Sequence, residues 1–402
     1  MASQLDSLID QLGQTAKAIQ NDPSYFQSSP EQRLKLLKAT QELYKTTQDP
    51  MEAYMEFLIS MARVTVIRLF IKWKVFEIIA TEGTISYASL AEKANADATL
   101  ITRLARMLVC TGILQQNTAD ELSLSPSANI FIAPHPASAL VQFGYDFHCV
   151  AAMAMPKYFD IYGRKEPVGR YKTITAYAYG NPDWTVWEHL NSDPAGMAVF
   201  MTSMVAMSHM QPIVGSYDFK WLLDEAPKSE DRTLVVDIGG GKGHAIQAIA
   251  QATPGLPLSR CVVEDLDDII QEAKINASSE MSQVQFVVMD FHKEQPVKDA
   301  LIYYIRRCLH DYGDDEVTGI LEQTRKSMAK DSKLLIVEQI LDNPPDPFAV
   351  AADVFISTIG GKERTMEDFE HVTSRAGLKI VKVHRSPGSD VGIIECEKDT
   401  SD

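Results

Sequence analysis

The sequence predicts an α/β protein with a doubly wound, mostly parallel sheet, preceded by a helical part that carries a winged-helix-like segment. Three observations predict it. An apolar run, Leu234 to Ile238, leads into four glycines, Gly239, Gly240, Gly241 and Gly243, and then into a helical stretch from Ala245. Short apolar strands alternate with helical segments from there to about Gly377, the pattern of strands covered by helices on both faces. Upstream, residues 84–131 show two short amphipathic helices followed by a hairpin.

Strand, glycine turn and helix form the opening of a βαβ nucleotide site. A dinucleotide fingerprint wants Gly-x-Gly-x-x-Gly, with its last glycine beside the pyrophosphate. Here the spacing is Gly-x-Gly-x-Gly and His244 takes that last place, so a nucleoside without phosphates is favoured. The second strand, Cys261 to Val263, ends in Glu264-Asp265, where an acid can accept hydrogen bonds from both ribose hydroxyls. The third, Val284 to Met289, ends in Asp290-Phe291, an acid for an adenine amine and a ring to cover the base. Glycine turn, ribose acid and adenine acid together point to S-adenosylmethionine. Leu301 to Ile305 and Leu334 to Val337 read as further buried strands, and Leu378 to His384 pairs with Gly392 to Glu397 as a closing hairpin.

Residues 1–50 read as one or two helices separated by Asn21-Asp22-Pro23, with Ser29-Pro30-Glu31-Gln32 as a helix start. The arm is either a solvated helix or a dimerisation arm. Met51 to Ile79 is more apolar than a lone surface helix needs, yet Arg63, Arg68, Lys72 and Lys74 interrupt it too often for a membrane span. In the winged-helix-like part, Ser86 and Asp97 begin helices, Gly112 ends the second, and Ile113–Gln116 pairs with Glu121–Leu124. Residues 140–215 are rich in Met and aromatics, among them Trp187, Phe200, Met204 and Met207, which suits core or an adaptable pocket for a flat ligand. The charged stretch Asp224–Asp231 is a plausible linker. The division expected is a helical, substrate-lining and dimerising part over residues 1–225 and a cofactor-binding catalytic part over 226–402.

A chain of 402 residues with 45% hydrophobic and 23% charged residues can bury two sizeable cores. A formal net charge of −16 argues against nucleic acid or an anionic membrane as partner. Five cysteines, widely spaced and none paired at metal-ligand spacing, predict a reduced, cytoplasmic protein without a metal. The first twenty residues lack the apolar core of a signal peptide.

Beyond the glycine turn, the strand Leu301–Ile305 runs into Arg306-Arg307-Cys308-Leu309-His310-Asp311-Tyr312, which places a histidine at the carboxyl edge of the sheet, where ligands bind in such folds. The next strand is expected to end in Glu338, and Gly360-Gly361-Lys362-Glu363-Arg364-Thr365 forms a later loop, so two acids could flank one imidazole. With these segments the chain resembles the class I O-methyltransferases of the plant caffeic acid and fungal secondary-metabolite type. The carriers are Val236–Gly243, Glu264-Asp265-Leu266, Met289-Asp290-Phe291, His310-Asp311-Tyr312, Glu338 and Gly360–Thr365. The resemblance implies a Rossmann-like methyltransferase fold with an N-terminal dimerisation domain, a homodimer, and a small aromatic acceptor. It implies that Asp237, Gly239 and Gly241 lie by the methionine part of the cofactor, Asp265 by the ribose, and Asp290 and Phe291 by the adenine. Arg306 falls where relatives often carry a Lys near the cofactor. His310 would be the general base, with Glu338 and Glu363 beside it. Tyr312 replaces a usual Trp, Arg306-Arg307 a usual Lys-Trp, and the segment before Gly360 is two residues short.

Methyl transfer from a sulfonium is an in-line displacement that needs a poised nucleophile and orientation. With unperturbed values of about 10 for a phenol and about 6.5 for an imidazole, passing the proton to His310 costs roughly 5 kcal/mol, which a flanking carboxylate reduces. The expected activity is methyl transfer to a hydroxyl, phenolic by chemistry, of an aromatic, polyketide or alkaloid metabolite. The alternatives are a dehydratase or pericyclase that keeps the cofactor without transferring its methyl, and a winged-helix regulator.

Overall fold

The computed structural model describes residues 2–22, 30–210, 213–386 and 389–399. The chain divides into two compact units, residues 1–129 and 130–402.

In the first unit, helices Ala2–Asn21 and Pro30–Thr47 precede a long helix, Pro50–Lys72. The segment between the first two, with the expected helix start at Ser29, lies outside the described residues. Asp49 and Glu52 form a reciprocal capping box at the start of the long helix. The helix does not continue to Ile79: Lys74 adopts a left-handed conformation (φ 56°), and Val75–Glu82 starts anew. Strand β1 (Thr84–Ser86) pairs antiparallel with β3 (Glu121–Leu124), and β3 with β2 (Leu114–Gln116). Ser86 and Asp97 cap helices Tyr87–Lys93 and Ala98–Cys110 as expected, each accepting a backbone N–H. This is a winged-helix-like arrangement.

The second unit holds the main sheet. Its strands are β4 (Val235–Ile238), β5 (Cys261–Asp265), β6 (Gln285–Val288), β7 (Ile302–Arg306), β8 (Lys333–Leu341), β10 (Leu378–Arg385) and β11 (Val391–Lys398), with a short β9 (Arg364–Thr365) beside β8. Across the sheet the order is β10-β11-β8-β7-β4-β5-β6. β4 to β8 run parallel, and β10 and β11 form the antiparallel hairpin. Alternation along each central strand fills two cores. Val235, Ile302, Tyr304 and Leu335 point to one face, and Val236, Tyr303, Ile305 and Ile336 to the other. The chain order reverses on either side of β4, the place where open α/β sheets bind ligands.

Two expectations change. The division at 225/226 cuts inside the second unit. The preceding helices are tied to the sheet domain: Thr175 N donates to Thr358 O at 2.9 Å, and the Tyr304 hydroxyl donates to Ile213 O at 2.7 Å. The Asp224–Asp231 stretch is partly helical, and Arg260 holds the Ala226 carbonyl. Second, β8 does not end at Glu338 but continues to Leu341. It overshoots β7, whose pairing stops at Arg306 opposite Val337, so Glu338 faces the loop that follows β7.

Candidate active site

The glycine turn is built for close approach. Gly239, Gly241 and Gly243 all have positive φ. A Cβ on Gly239 would press on Cys308 Sγ, whereas one on Gly241 would meet nothing within 4 Å, so that side is open to a ligand. The two acids at the end of β5 separate cleanly. Glu264 is fully buried and accepts from Gln295 Nε2 at 2.6 Å. Asp265 is partly exposed, and its Oδ2 accepts from Gly241 N at 2.8 Å. Asp265 therefore reaches the open side of the turn and Glu264 serves the interior.

Asp237 is buried, and its Oδ2 has no hydrogen-bond partner among the described residues. Burial, then the neighbouring Asp265 charge, pushes its pKa up to about 8, against the pull of Arg306. Burial disfavours the charged forms of all three carboxyls at this turn; a pyrophosphate would disfavour them further, whereas a cationic, hydroxyl-bearing ligand would restore them. S-adenosylmethionine fits on both counts. At the end of β6, burial raises the Asp290 pKa, but the Lys293 ammonium at 3.0 Å and the His292 N–H outweigh it and hold the carboxyl below its usual range. Phe291 packs edge-on to Tyr312 (centroids 5.8 Å) and lies beside Gly239.

His310 is buried in the turn after β7. Its Nδ1 stands 3.0 Å from Glu363 Oε1 and 3.8 Å from Glu338 Oε2, and its Nε2 3.5 Å from Asp311 Oδ1. The nearer acid is thus Glu363 and not Glu338, whose Oε1 is taken by the backbone N–H groups of Cys308 and Leu309 at 3.0 and 2.9 Å. Burial lowers the His310 pKa, but Glu338, Glu363 and Asp311 outweigh it and hold the pKa up to about 9. Burial raises Glu338 in turn. Ligand atoms of His310, Glu338 and Glu363 lie within 4.8 Å of one another, close enough for a cation. Imidazolium already fills that electrostatic role.

Arg364, 1% exposed, locks the two loops together. It donates to Leu309 O at 3.1 Å and Tyr312 O at 2.8 Å, on either side of His310, and pairs with Asp314 Oδ1 at 2.8 Å. Lys362 N donates to His310 O at 2.8 Å, and Glu363 N to Asp353 Oδ1 at 2.9 Å. A Cβ on Gly361 would collide with the His310 carbonyl oxygen. Position 361 must be glycine for the loops to meet this closely.

His310 and Glu363 line a cavity of about 510 Å³ together with Arg306 and Arg307. Its apolar wall includes Trp187, Phe200, Met204 and Met207, from the Met-rich stretch, while Tyr158 instead sits in a separate aromatic cluster. Sequence reasoning missed Phe143, Phe147, His148, Gln339 and Phe348, which also line it. Phe143 ends the helix Pro136–Phe143, and Phe147 and His148 lie on the π-type turn Gly144–Cys149 that follows it, for which the sequence offers no signal. The Phe143–Phe147 spacing of four was the one available hint.

Comparisons with known proteins place the chain in a family. Residues 164–379 match the family model of the O-methyltransferase domain, and residues 53–134 that of the O-methyltransferase dimerisation domain. The chain is 33% identical to methyltransferase cfoD of Aspergillus candidus, covering 91% of this chain and 92% of that one. It is 35% identical to methyltransferase pynC of Aspergillus niger, covering 84% and 95%. Among solved structures, OxaC in complex with SAH and oxaline superposes with a TM-score of 0.84 at 25% identity, covering 98% of each chain. One described as a pericyclic reaction enzyme shares the fold, with a TM-score of 0.83 at 22% identity over 96% of this chain and 99% of that one. The chain belongs to the O-methyltransferase family. It is thus an S-adenosylmethionine-dependent methyltransferase.

The clamp yields a prediction. Arg364→Lys replaces a fork of donors with a point charge and should lose about 3 kcal/mol of stability, since several buried charge-assisted hydrogen bonds go together. Urea unfolding measures this directly, and an unchanged midpoint would show that the two loops hold without the guanidinium.

Proposed function

We propose that the enzyme transfers the methyl group of S-adenosylmethionine to a phenolic hydroxyl of a flat, small-molecule secondary metabolite, with His310 as general base. The observation that carries this reading is a buried imidazole at the wall of an apolar cavity, with a carboxylate 3.0 Å from its Nδ1. S-adenosylmethionine supplies a methyl group on a sulfonium, open to in-line attack. Gly239 and Gly241 would admit its methionine part beside Asp237, Asp265 would hold the ribose, and Asp290 and Phe291 would take the adenine. Arg306, which acts on Asp237 and also lines the acceptor cavity, stands between the two ligands. Glu363 fixes the tautomer of His310, directing Nε2 to the acceptor, and Glu338 adds charge behind it. With a pKa of about 9, the imidazole accepts a phenol proton at a cost of roughly 1.4 kcal/mol, one pKa unit.

The same shift favours a second reading, dehydration or pericyclic chemistry, because a protonated His310 can serve as an acid. Product analysis separates the two: methyl transfer releases S-adenosylhomocysteine in step with product, whereas an isomer formed without it supports the second.

Assembly as a homodimer through the first unit is part of the proposal. Tyr54, Met55, Phe57, Leu58 and Met61 are exposed on one long helix inside the segment that matches the dimerisation domain. No helix among the described residues is long and apolar enough to cross a membrane, and the five cysteines are free. A cytoplasmic enzyme accords with both.

Three outcomes are expected. His310→Ala should lower turnover about 10²–10⁴-fold with cofactor affinity near normal. Below about pH 9 the base form of His310 grows tenfold per pH unit, so wild-type kcat/KM should climb with unit slope and level near 9. The variant should instead climb until the phenol itself ionises near about 10. Full activity of His310→Ala at neutral pH would remove the base assignment. For the cofactor, Asp265→Ala should weaken S-adenosylmethionine by roughly 2–3 kcal/mol and Glu264→Gln by far less, measured by calorimetry. The reverse ranking would reassign the ribose contact. Light scattering should give a dimer mass, from an interface upwards of about 2,000 Å²; a monomer at micromolar concentration overturns it.

A further inference from the structure

Among the polar side chains that line the cavity and have no part in the proposed chemistry, His148 has a buried ring nitrogen left over. His148 lies on the π-type turn Gly144–Cys149 and lines the same cavity as His310. Its ring packs edge-on to Phe143 and tilted against Phe355, with centroids 4.9 Å apart in each case. Its Nδ1 is buried and has no hydrogen-bond partner among the described residues. Burial lowers the His148 pKa to about 4, so at neutral pH the ring is uncharged, with one donor and one acceptor nitrogen. His189 also has an unpartnered Nδ1, but it stacks on Tyr179 at 3.9 Å and does not line the cavity.

A neutral imidazole set among phenyl rings is costly. An unpaired polar atom in such a wall has lost its water without gaining a partner, and the widened turn that carries it is a rare local geometry found mostly at functional sites. A ligand that pairs with the ring recovers this cost, and one that cannot leaves it standing. A site with a buried hydrogen-bonding group therefore discriminates against molecules that lack the matching one.

We propose that His148 determines acceptor specificity by hydrogen-bonding a second oxygen, hydroxyl or carbonyl, on the acceptor, distinct from the hydroxyl that His310 deprotonates. The acceptor class is then a flat ring system bearing at least two oxygens, one at His310 and one at His148, with its rings against the aromatic part of the lining. This rests on the methyl-transfer reading only for which oxygen reacts. Phe143, Phe147 and Phe355 surround His148 and line the same cavity, so they meet the acceptor's rings there, and the pairing at His148 sets how far the acceptor slides along them.

The test uses the full-length enzyme with 2-naphthol as the one-oxygen probe. The two-oxygen probes are 2,3-, 2,6- and 2,7-dihydroxynaphthalene and 6-acetyl-2-naphthol. Dissociation constants are measured by calorimetry in the presence of S-adenosylhomocysteine, and kcat/KM with S-adenosylmethionine. Wild type should favour at least one two-oxygen probe over 2-naphthol by about tenfold or more. In His148→Phe that ratio should fall to about one, and His148→Gln, which keeps a donor and an acceptor, should retain part of it. Whether the diol or the ketone benefits assigns the partner as hydroxyl or carbonyl. Equal binding of all probes by wild type, no binding of any, or a ratio that survives in a folded His148→Phe overturns the proposal. If the ratio collapses in binding while no probe is methylated, His148 keeps its role and the methyl-transfer reading falls.

Discussion

A single buried guanidinium sets the geometry on which the site depends. Arg364 sits on the two-residue strand β9 and reaches back to the carbonyls of Leu309 and Tyr312, which bracket His310. The residue before it in the chain is Glu363, the acid nearest the imidazole. One side chain thus fixes the spacing between two loops that are more than fifty residues apart in sequence. Burying a charge this deeply is tolerated because carbonyl oxygens and the Asp314 carboxylate meet its donors. Gly361 completes the arrangement by letting its backbone lie against the His310 carbonyl.

Electrostatics then divide the domain's ligand-facing edge into two unlike halves. At the glycine turn, burial raises the pKa values of Asp237, Glu264 and Asp265, so a cation bound there favours their charged forms. Across β4 and β7, the acids around His310 surround an imidazole and raise its basicity, while the rest of that cavity is aromatic and apolar. Arg306 touches both halves. The proposed chemistry needs this contrast: a charged donor held by fixed carboxylates, and a neutral acceptor held by rings until its proton leaves.

Much of this was legible in the chain. The strands announced themselves as buried apolar runs, because a parallel sheet covered on both faces has no polar side to obscure them, and the glycine turn needs glycines for its positive φ values. That His310, Glu338 and Glu363 could meet was legible too, from a histidine after one strand and acids on the next strand and a later loop, and the structure brings them together. Their relative roles were not. Whether Glu338 or Glu363 lies nearer the imidazole depends on how far β8 runs past β7, a matter of pairing between strands that no local pattern encodes. Arg364 looked like one more charged loop residue, since burial of a cation follows only from partners distant in sequence. His148 was hidden by a helical irregularity, and the domain division by long-range bonds such as Tyr304 to Ile213.

The contrast between clamp and wall has an evolutionary consequence. The residues that do chemistry are mutually locked, so a change at one of them disturbs backbone, charge and packing at once. The opposite wall, with Trp187, Phe200, Met204 and Met207, is made of separate side chains on helices, and its unbranched methionines adapt to new shapes without moving the backbone. Such a protein can acquire a new acceptor by single substitutions in the wall while its reaction stays untouched. The fold therefore separates innovation from catalysis, and drift in substrate scope proceeds along the helices rather than along the sheet.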